Sequence, residues 1–230
     1  MAKLASPFGP GLLKFLRELD RHNKREWFER NRQRYESEVR EPALEFIRAM
    51  APYIEKISPH FTAKDSKVGG SLMRIHRDVR FSHDKRPYKT NLGIQFRHEA
   101  GRDVHAPGLY FHVEPGSVFL GAGMWRPDKT ALAGVRGAID EDTKGWKRVR
   151  DAKRFRTAWE LSGESLRRPP RGFDAGHPMI EDLKRKDHIA ICSLTERDVT
   201  RTDLVPRVAE RYSRARDYLG WLADAVGLPF

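Results

Sequence analysis

The sequence predicts an α+β fold: a central antiparallel sheet of about five strands, with N- and C-terminal helices packed mainly on one face. Three observations predict it. Apolar residues recur at helical spacing in the first and last thirds of the chain. They alternate in the middle third. The alternating segments are short and joined by tight turns, which suits an antiparallel meander rather than β-α-β units. The chain, 1–230, is expected to be a single domain, helical over 1–60, sheet-rich over 67–126 and mostly helical over 127–230.

Pro10 or Gly11 opens a helix whose Leu12, Leu13, Leu16 and Leu19 share one face. It breaks at Asp20–Asn23, where Asn23 is placed to cap the next helix with Glu26 as its capping-box partner. Trp27, Phe28, Tyr35 and Val39 form the apolar side of that helix, and Pro42 kinks or restarts it. Leu44, Ile47, Met50, Ile54 and Ile57 carry a stripe on to Ser58–Pro59. Strands are predicted over Leu72–Phe81, Leu92–His98, Leu109–Glu114 and Val118–Trp125, with a hairpin turn at Glu114-Pro115-Gly116-Ser117. A helix then starts at Pro127–Asp128 and runs through Leu132, Val135 and Ile139. Another is predicted over Thr143–Leu161, and a short one from His177-Pro178 to Lys184. His188–Leu194 reads as the fifth strand. The last helix carries Leu204, Val208, Tyr212, Ala215, Leu219, Leu222 and Val226, a stripe suited to packing on the sheet, with an oligomer contact as the second reading.

The 230 residues include 44 Lys+Arg against 32 Asp+Glu, a formal net charge of +12. At 39% hydrophobic residues the chain can build a core, which excludes global disorder. Cys192 is the one cysteine, so an internal disulfide and a multi-cysteine zinc or iron–sulfur site are excluded. No apolar run approaches the ~18 residues of a membrane span, and the first residues lack a signal peptide's apolar stretch. A cytoplasmic protein with no membrane partner is expected. The basic charge permits nucleic-acid binding, and equally serves solubility alone.

One segment carries most of the chemistry. Residues 74–91, RIHRDVRFSHDKRPYKTN, bring together Arg74, Arg77, Arg80, Lys85, Arg86 and Lys89, with Asp78, Asp84 and Tyr88 interleaved. Buried unpaired charge is costly, so this segment is solvated, paired internally, or built to receive an anion. Strand alternation places Arg74, His76, Asp78 and Arg80 opposite Met73, Ile75, Val79 and Phe81. It likewise places Gln95, Arg97, Tyr110, His112 and Glu114 opposite Ile94, Phe96, Leu109, Phe111 and Val113. The sheet then has an apolar face for the helices and a polar face where Arg74 joins Tyr110 and His112.

Forked cations among hydroxyls suit phosphate recognition. The ligand-binding candidates are Arg74, Arg77, Arg80, Lys85, Tyr88 and Lys89, and the acid–base candidates are Asp78, Tyr88 and Lys89. No HExxH pattern or acidic calcium loop is present. His76, His112 and Asp78 have no supporting motif, so no metal site is expected. Ser82-His83-Asp84 is not read as a triad, because triads assemble from separated segments. Cys192 reads as inert packing in an apolar strand. In the second basic stretch, Lys144–Arg171, the spacing of Trp146, Phe155 and Trp159 marks them as core.

The same segment resembles the signature of a family catalogued as domain of unknown function 2461, whose pattern is R-x-x-R-D-x-R-F-S-x-D-K-x-P-Y-K. Arg74, Arg77, Asp78, Arg80, Phe81, Ser82, Asp84, Lys85, Pro87, Tyr88 and Lys89 match it. FLRELDRHNKREWFERNRQRYE, GLYFHVEPGSVFLGAGMWRPD and RRPPRGFDAGHPMIEDLKRK resemble its flanking elements, so the resemblance covers nearly the whole chain. It implies one intact domain with residues 74–89 as the best site candidate, and it implies no activity or cofactor. The leading expectation is a binding site for a phosphorylated or other anionic ligand at 74–89, with catalysis left open. The alternatives are a non-catalytic nucleic-acid-binding module using the basic surface, and a basic loop that docks an acidic partner.

Overall fold

The computed structural model describes residues 6–66, 68–80, 83–101 and 106–230. Phe81 and Ser82 of the basic motif lie outside the described residues. Helix α1 (Gly11–Arg21) buries Leu12, Leu13, Leu16 and Leu19, as its spacing predicts, and Phe15 besides. Helix α2 (Arg25–Arg30) follows, but its N-cap is Lys24 and no side chain caps it. The Asn23 amide is used differently. Its Nδ2 donates to the Tyr88 carbonyl at 3.0 Å and its Oδ1 accepts the Tyr88 N–H at 3.0 Å. A side-chain amide here acts as a miniature strand and ties the helical layer to the basic motif. Asn23→Ala removes both bonds and leaves two part-buried backbone groups unpaired. A loss of about 1–3 kcal/mol is expected, read by urea unfolding.

Helix α3 (Arg32–Tyr35) passes through a π-helical turn at Glu36–Arg40 into α4 (Glu41–Ile57). The wide turn falls immediately before Pro42, which has no N–H for the carbonyl four residues back. The chain therefore widens there without restarting. Leu44, Ile47, Met50, Ile54 and Ile57 of α4 are all buried.

Among the described residues six strands form one antiparallel sheet: β1 (Phe61–Thr62), β2 (Leu92–His98), β3 (Gly108–Glu114), β4 (Ser117–Met124), β5 (Glu160–Ser162) and β6 (His188–Leu194). Their order is β1-β2-β3-β4-β6-β5. The 115–116 turn closes the β3–β4 hairpin, with Gly116 at φ 83°, a left-handed conformation that glycine adopts without strain. Two of the strands, β1 and β5, are differences from expectation. β1 and β5 are two and three residues long, too short to show an alternation.

Alternation holds in the long strands. Ile94, Phe96, Leu109, Phe111, Val113, Leu120, Met124 and Ala190 are buried in a core that extends to Phe8 and Phe46. Phe46 and Phe111 meet with ring centroids 5.0 Å apart. Each such side chain contributes roughly 1.5–3 kcal/mol by leaving water, which fixes the register. The other face carries Gln95, Tyr110, His112, Phe119, Gly121, Ile189 and Ile191.

Three expectations are corrected. Leu72–Phe81 is not a strand: it touches the sheet through bridges at Leu72↔Ile94 and His76↔Tyr88. Because Leu72 aligns with core-facing Ile94, Met73 turns to the open face, whereas Ile75 is buried. The parity therefore slips between residues 73 and 75, where no continuous ladder holds it. Thr143–Leu161 is not one helix. α5 (Lys129–Glu141), capped by Asp128, precedes α6 (Thr143–Arg150) and α7 (Lys153–Arg156), and Leu161 belongs to β5. Arg150 pairs with Asp151 and buried Asp182, and Ala152 is extended, which ends α6. Trp146, Phe155 and Trp159 are nevertheless core residues. After α8 (Ile180–Leu183) and α9 (Glu196–Val199), the final stripe breaks at Ala215 into α10 (Leu204–Arg214) and α11 (Arg216–Ala225), and its residues from Leu204 to Leu222 pack inward.

His188 at the start of β6 is fully buried, and its two ring nitrogens have no hydrogen-bond partner among the described residues. Burial lowers its pKa from 6.5 to about 3, with the Arg185 and Arg136 charges acting in the same direction. The unfolded chain therefore binds the proton more readily than the native one. The stability this neutral ring contributes is complete above pH 6.5 and is lost as pH falls toward 3. Each unit costs up to about 1.4 kcal/mol. His188→Leu is expected to flatten that part of the stability–pH curve measured by urea unfolding; an unchanged slope contradicts it.

Candidate functional site

The basic motif folds back on itself. Arg77 accepts no ladder role beyond its N–H, which donates to Pro87 O, and its guanidinium lies 2.5 Å from Asp84. Arg86 reaches Asp84 at 2.9 Å and Asp20 at 2.8 Å. Arg80 clasps Asp78 through Nε at 3.0 Å and Nη2 at 2.7 Å. Lys85 Nζ donates to the Val79 carbonyl at 3.0 Å. Both carboxylates are held below their usual range. For Asp78 the main cause is the Arg80 side chain, and the value falls to about 2. For Asp84 it is the Arg86 N–H, followed by the Arg77 and Arg86 side chains.

Tyr88 and Lys89 point apart, as neighbours in an extended segment do. The Tyr88 ring is 2% exposed and stacks on Phe28 with centroids 4.2 Å apart. His76 packs beside it, 5.1 Å away, so His76 and His112 do not converge with Asp78. Lys89 instead lines a cavity of about 430 Å³ on the open face of the sheet. Its floor is Tyr110 and His112 of β3, flanked by Gln95 on β2 and by Phe119, Gly121 and Gly123 on β4. Met73 and Asn91 wall one side, and Ile189 and Ile191 of β6 continue the floor. Trp125, 52% exposed, stands at the rim with the Arg126 guanidinium 4.8 Å from its ring centroid.

Glycines keep this floor open. A Cβ at Gly93 would sit 2.8 Å from the Tyr110 hydroxyl, and one at Gly121 would sit 3.3 Å from Tyr110 Cβ.

Two electrostatic features mark the cavity. The first is Lys89. Burial lowers its pKa, and the charge acting on it is that of Arg74, another cation. No carboxylate pairs with it among the described residues. The second is a chain of polar groups. Thr90 Oγ1 donates to Glu114 Oε1 at 2.6 Å, Glu114 Oε2 lies 3.5 Å from His112 Nε2, and His112 Nδ1 lies 3.0 Å from the Tyr110 hydroxyl. Asn91 Nδ2 lies 3.5 Å from that hydroxyl. Burial lowers the His112 pKa against the pull of Glu114, and raises Tyr110 to about 12.

Of the residues expected from the sequence, Lys89 lines this cavity; Arg74 is exposed, is not part of the lining, and acts on Lys89 through its charge. Arg77, Arg80 and Lys85 are engaged within the motif, Tyr88 is in the core, and Asp78 holds Arg80. Strand alternation pointed to Tyr110, His112 and Gln95. Asn91, Met73, Phe119, Trp125 and the β6 isoleucines carried no sequence signal, because their convergence depends on strand order.

The fold and the site define a basic α+β protein with helices on one sheet face and a walled cavity on the other. The chain belongs to the family described as conserved hypothetical protein (DUF2461), which matches residues 11–221. No curated protein and no solved structure matches it. No helix among the described residues is long and apolar enough to cross a membrane.

Proposed function

We propose that the protein binds a small molecule with a flat apolar body and an anionic group, phosphate or carboxylate, in the cavity on the open sheet face. One observation carries this reading: the Lys89 ammonium is half-buried in the cavity wall, within the field of the cation Arg74, and no carboxylate among the described residues pairs with it. A partly desolvated cation with a second cation acting on it is stabilised by an anion. Trp125, Phe119 and Met73 supply apolar walls for the rest of the molecule. Within the basic segment, the paired cations Arg77, Arg80 and Arg86 then hold the loop that carries Lys89, and Lys89 faces the ligand.

The nucleic-acid module is the second reading, favoured by the net charge of +12. It needs a run of available cations, and the motif's own carboxylates occupy three of them.

The two readings separate in one titration. Phenyl phosphate, benzoate and the neutral benzyl alcohol are followed by calorimetry and Trp fluorescence, beside duplex DNA at several salt concentrations. The proposal expects the aryl anions to bind and the alcohol to bind far more weakly. Duplex binding with log K falling by about 0.9 per phosphate, and no aryl-anion binding, would establish the module instead.

A further inference from the structure

Resting on that reading, we infer that Tyr110, His112 and Glu114 form a proton relay opening into the cavity, and that the ligand is a weak acid, a ring-borne phenolic or enolic O–H, which loses its proton there. The geometry points to this in three ways. The groups are in file along one strand: Glu114 Oε2, His112 Nε2 at 3.5 Å, then His112 Nδ1 and the Tyr110 hydroxyl at 3.0 Å. The carboxylate is itself oriented by Thr90 at 2.6 Å. Stacking on Phe119, centroids 4.5 Å apart and planes at 17°, holds the imidazole in position.

Glu114 at Nε2 sets the tautomer: Nε2 carries the hydrogen and Nδ1 accepts from Tyr110. One hydroxyl lone pair then remains for a proton from the cavity side, where Tyr110 and Lys89 share the lining. The step balances as follows. The ligand's O–H bond breaks, and its proton goes to Tyr110 oxygen. Tyr110's own hydrogen moves to His112 Nδ1. The resulting imidazolium keeps its Nε2–H toward the Glu114 carboxylate, and the ligand oxyanion is held by Lys89. No oxidant or second reactant is required. Burial outweighs the pull of Glu114 and favours the neutral imidazole in the free protein, so the base is open to a proton, and the imidazolium formed with the ligand is offset by the Glu114 carboxylate and the ligand's own oxyanion.

The test uses para-nitrophenol, whose phenolate absorbs in the visible, at a pH where the free dye is mostly neutral. Dye ionisation is read by absorbance. Proton release is read by calorimetry in two buffers of different ionisation enthalpy. The wild-type protein is expected to bind the dye as phenolate and to retain its proton. Tyr110→Phe, which keeps the ring, and Glu114→Gln, which keeps the shape at a partly exposed position, are expected to lower the ratio of ionised to neutral bound dye about tenfold, the effect of one pKa unit. In both, the bound phenolate's proton should appear in the buffer. Lys89→Ala is expected to weaken binding itself. Dye bound as phenolate with its proton released by the wild-type protein overturns the relay and leaves the anion site standing. Failure of the wild-type protein to bind either the dye or phenyl phosphate overturns both.

Discussion

Lys89→Ala is expected to weaken binding of an aryl phosphate about 10- to 100-fold, the effect of losing a charge-assisted hydrogen bond worth roughly 1.5–3 kcal/mol. It is expected to leave the melting temperature unchanged or slightly raised. The native protein holds this ammonium half-buried beside Arg74 with no anionic partner among the described residues, so removing it relieves an unfavourable charge. Lys89→Met, which keeps most of the stem, should show the same loss of affinity. The pH dependence has a definite sign. The protonated amine binds the anion, and burial lowers its pKa from 10.5. Affinity therefore declines at a lower pH than an ordinary lysine would impose. Calorimetric titrations across alkaline pH check this. A decline confined to the range of a free lysine, or a large drop in melting temperature on substitution, contradicts the assignment.

Gly123→Ala is expected to cost more than about 3 kcal/mol, or to prevent folding, measured by urea unfolding and circular dichroism. Gly123 sits in β4 at φ 121°, a conformation that L side chains rarely adopt. A Cβ there would lie 2.1 Å from the His188 carbonyl oxygen and 3.0 Å from Ile189 Cα. Both neighbours are backbone of β6, paired to β4 through Gly123↔Ile189. Neither can withdraw without breaking the ladder. Gly121→Ala, two residues away, separates stability from site geometry. Its Cβ would come nearest to the Tyr110 Cβ, at 3.3 Å, with the Tyr110 carbonyl oxygen at 4.0 Å. It is expected to fold and to bind the aryl anion more weakly by narrowing the floor.

What could be read from the chain follows from how physical signals are encoded. β2 and β6 carry seven residues each, enough for alternation to specify their limits and faces. The polar file Tyr110, His112, Glu114 could be read for the same reason. Met73 could not be placed, because its segment joins the sheet by single bridges and a slip costs little there. Asn23 looked like a cap because capping chemistry is local, whereas its partner Tyr88 is 65 residues away. In the basic motif, charge alone does not distinguish a cation satisfied by a nearby carboxylate from one facing a cavity. Arg77 and Lys89 look equivalent in sequence. Only the fold back onto Asp84, and the strand order that brings β6 beside β4, tell them apart.

The central claim is that Lys89 holds an anion on the open face of the sheet. A crystal structure of the protein with phenyl phosphate tests it most directly. The account predicts phosphate oxygens within hydrogen-bonding distance of Lys89 Nζ, with the phenyl ring over the Gly121 floor between Phe119 and Trp125. A phosphate seated instead on Arg77, Arg80 or Arg86, with their carboxylate pairs broken and the cavity left without ligand, would contradict it.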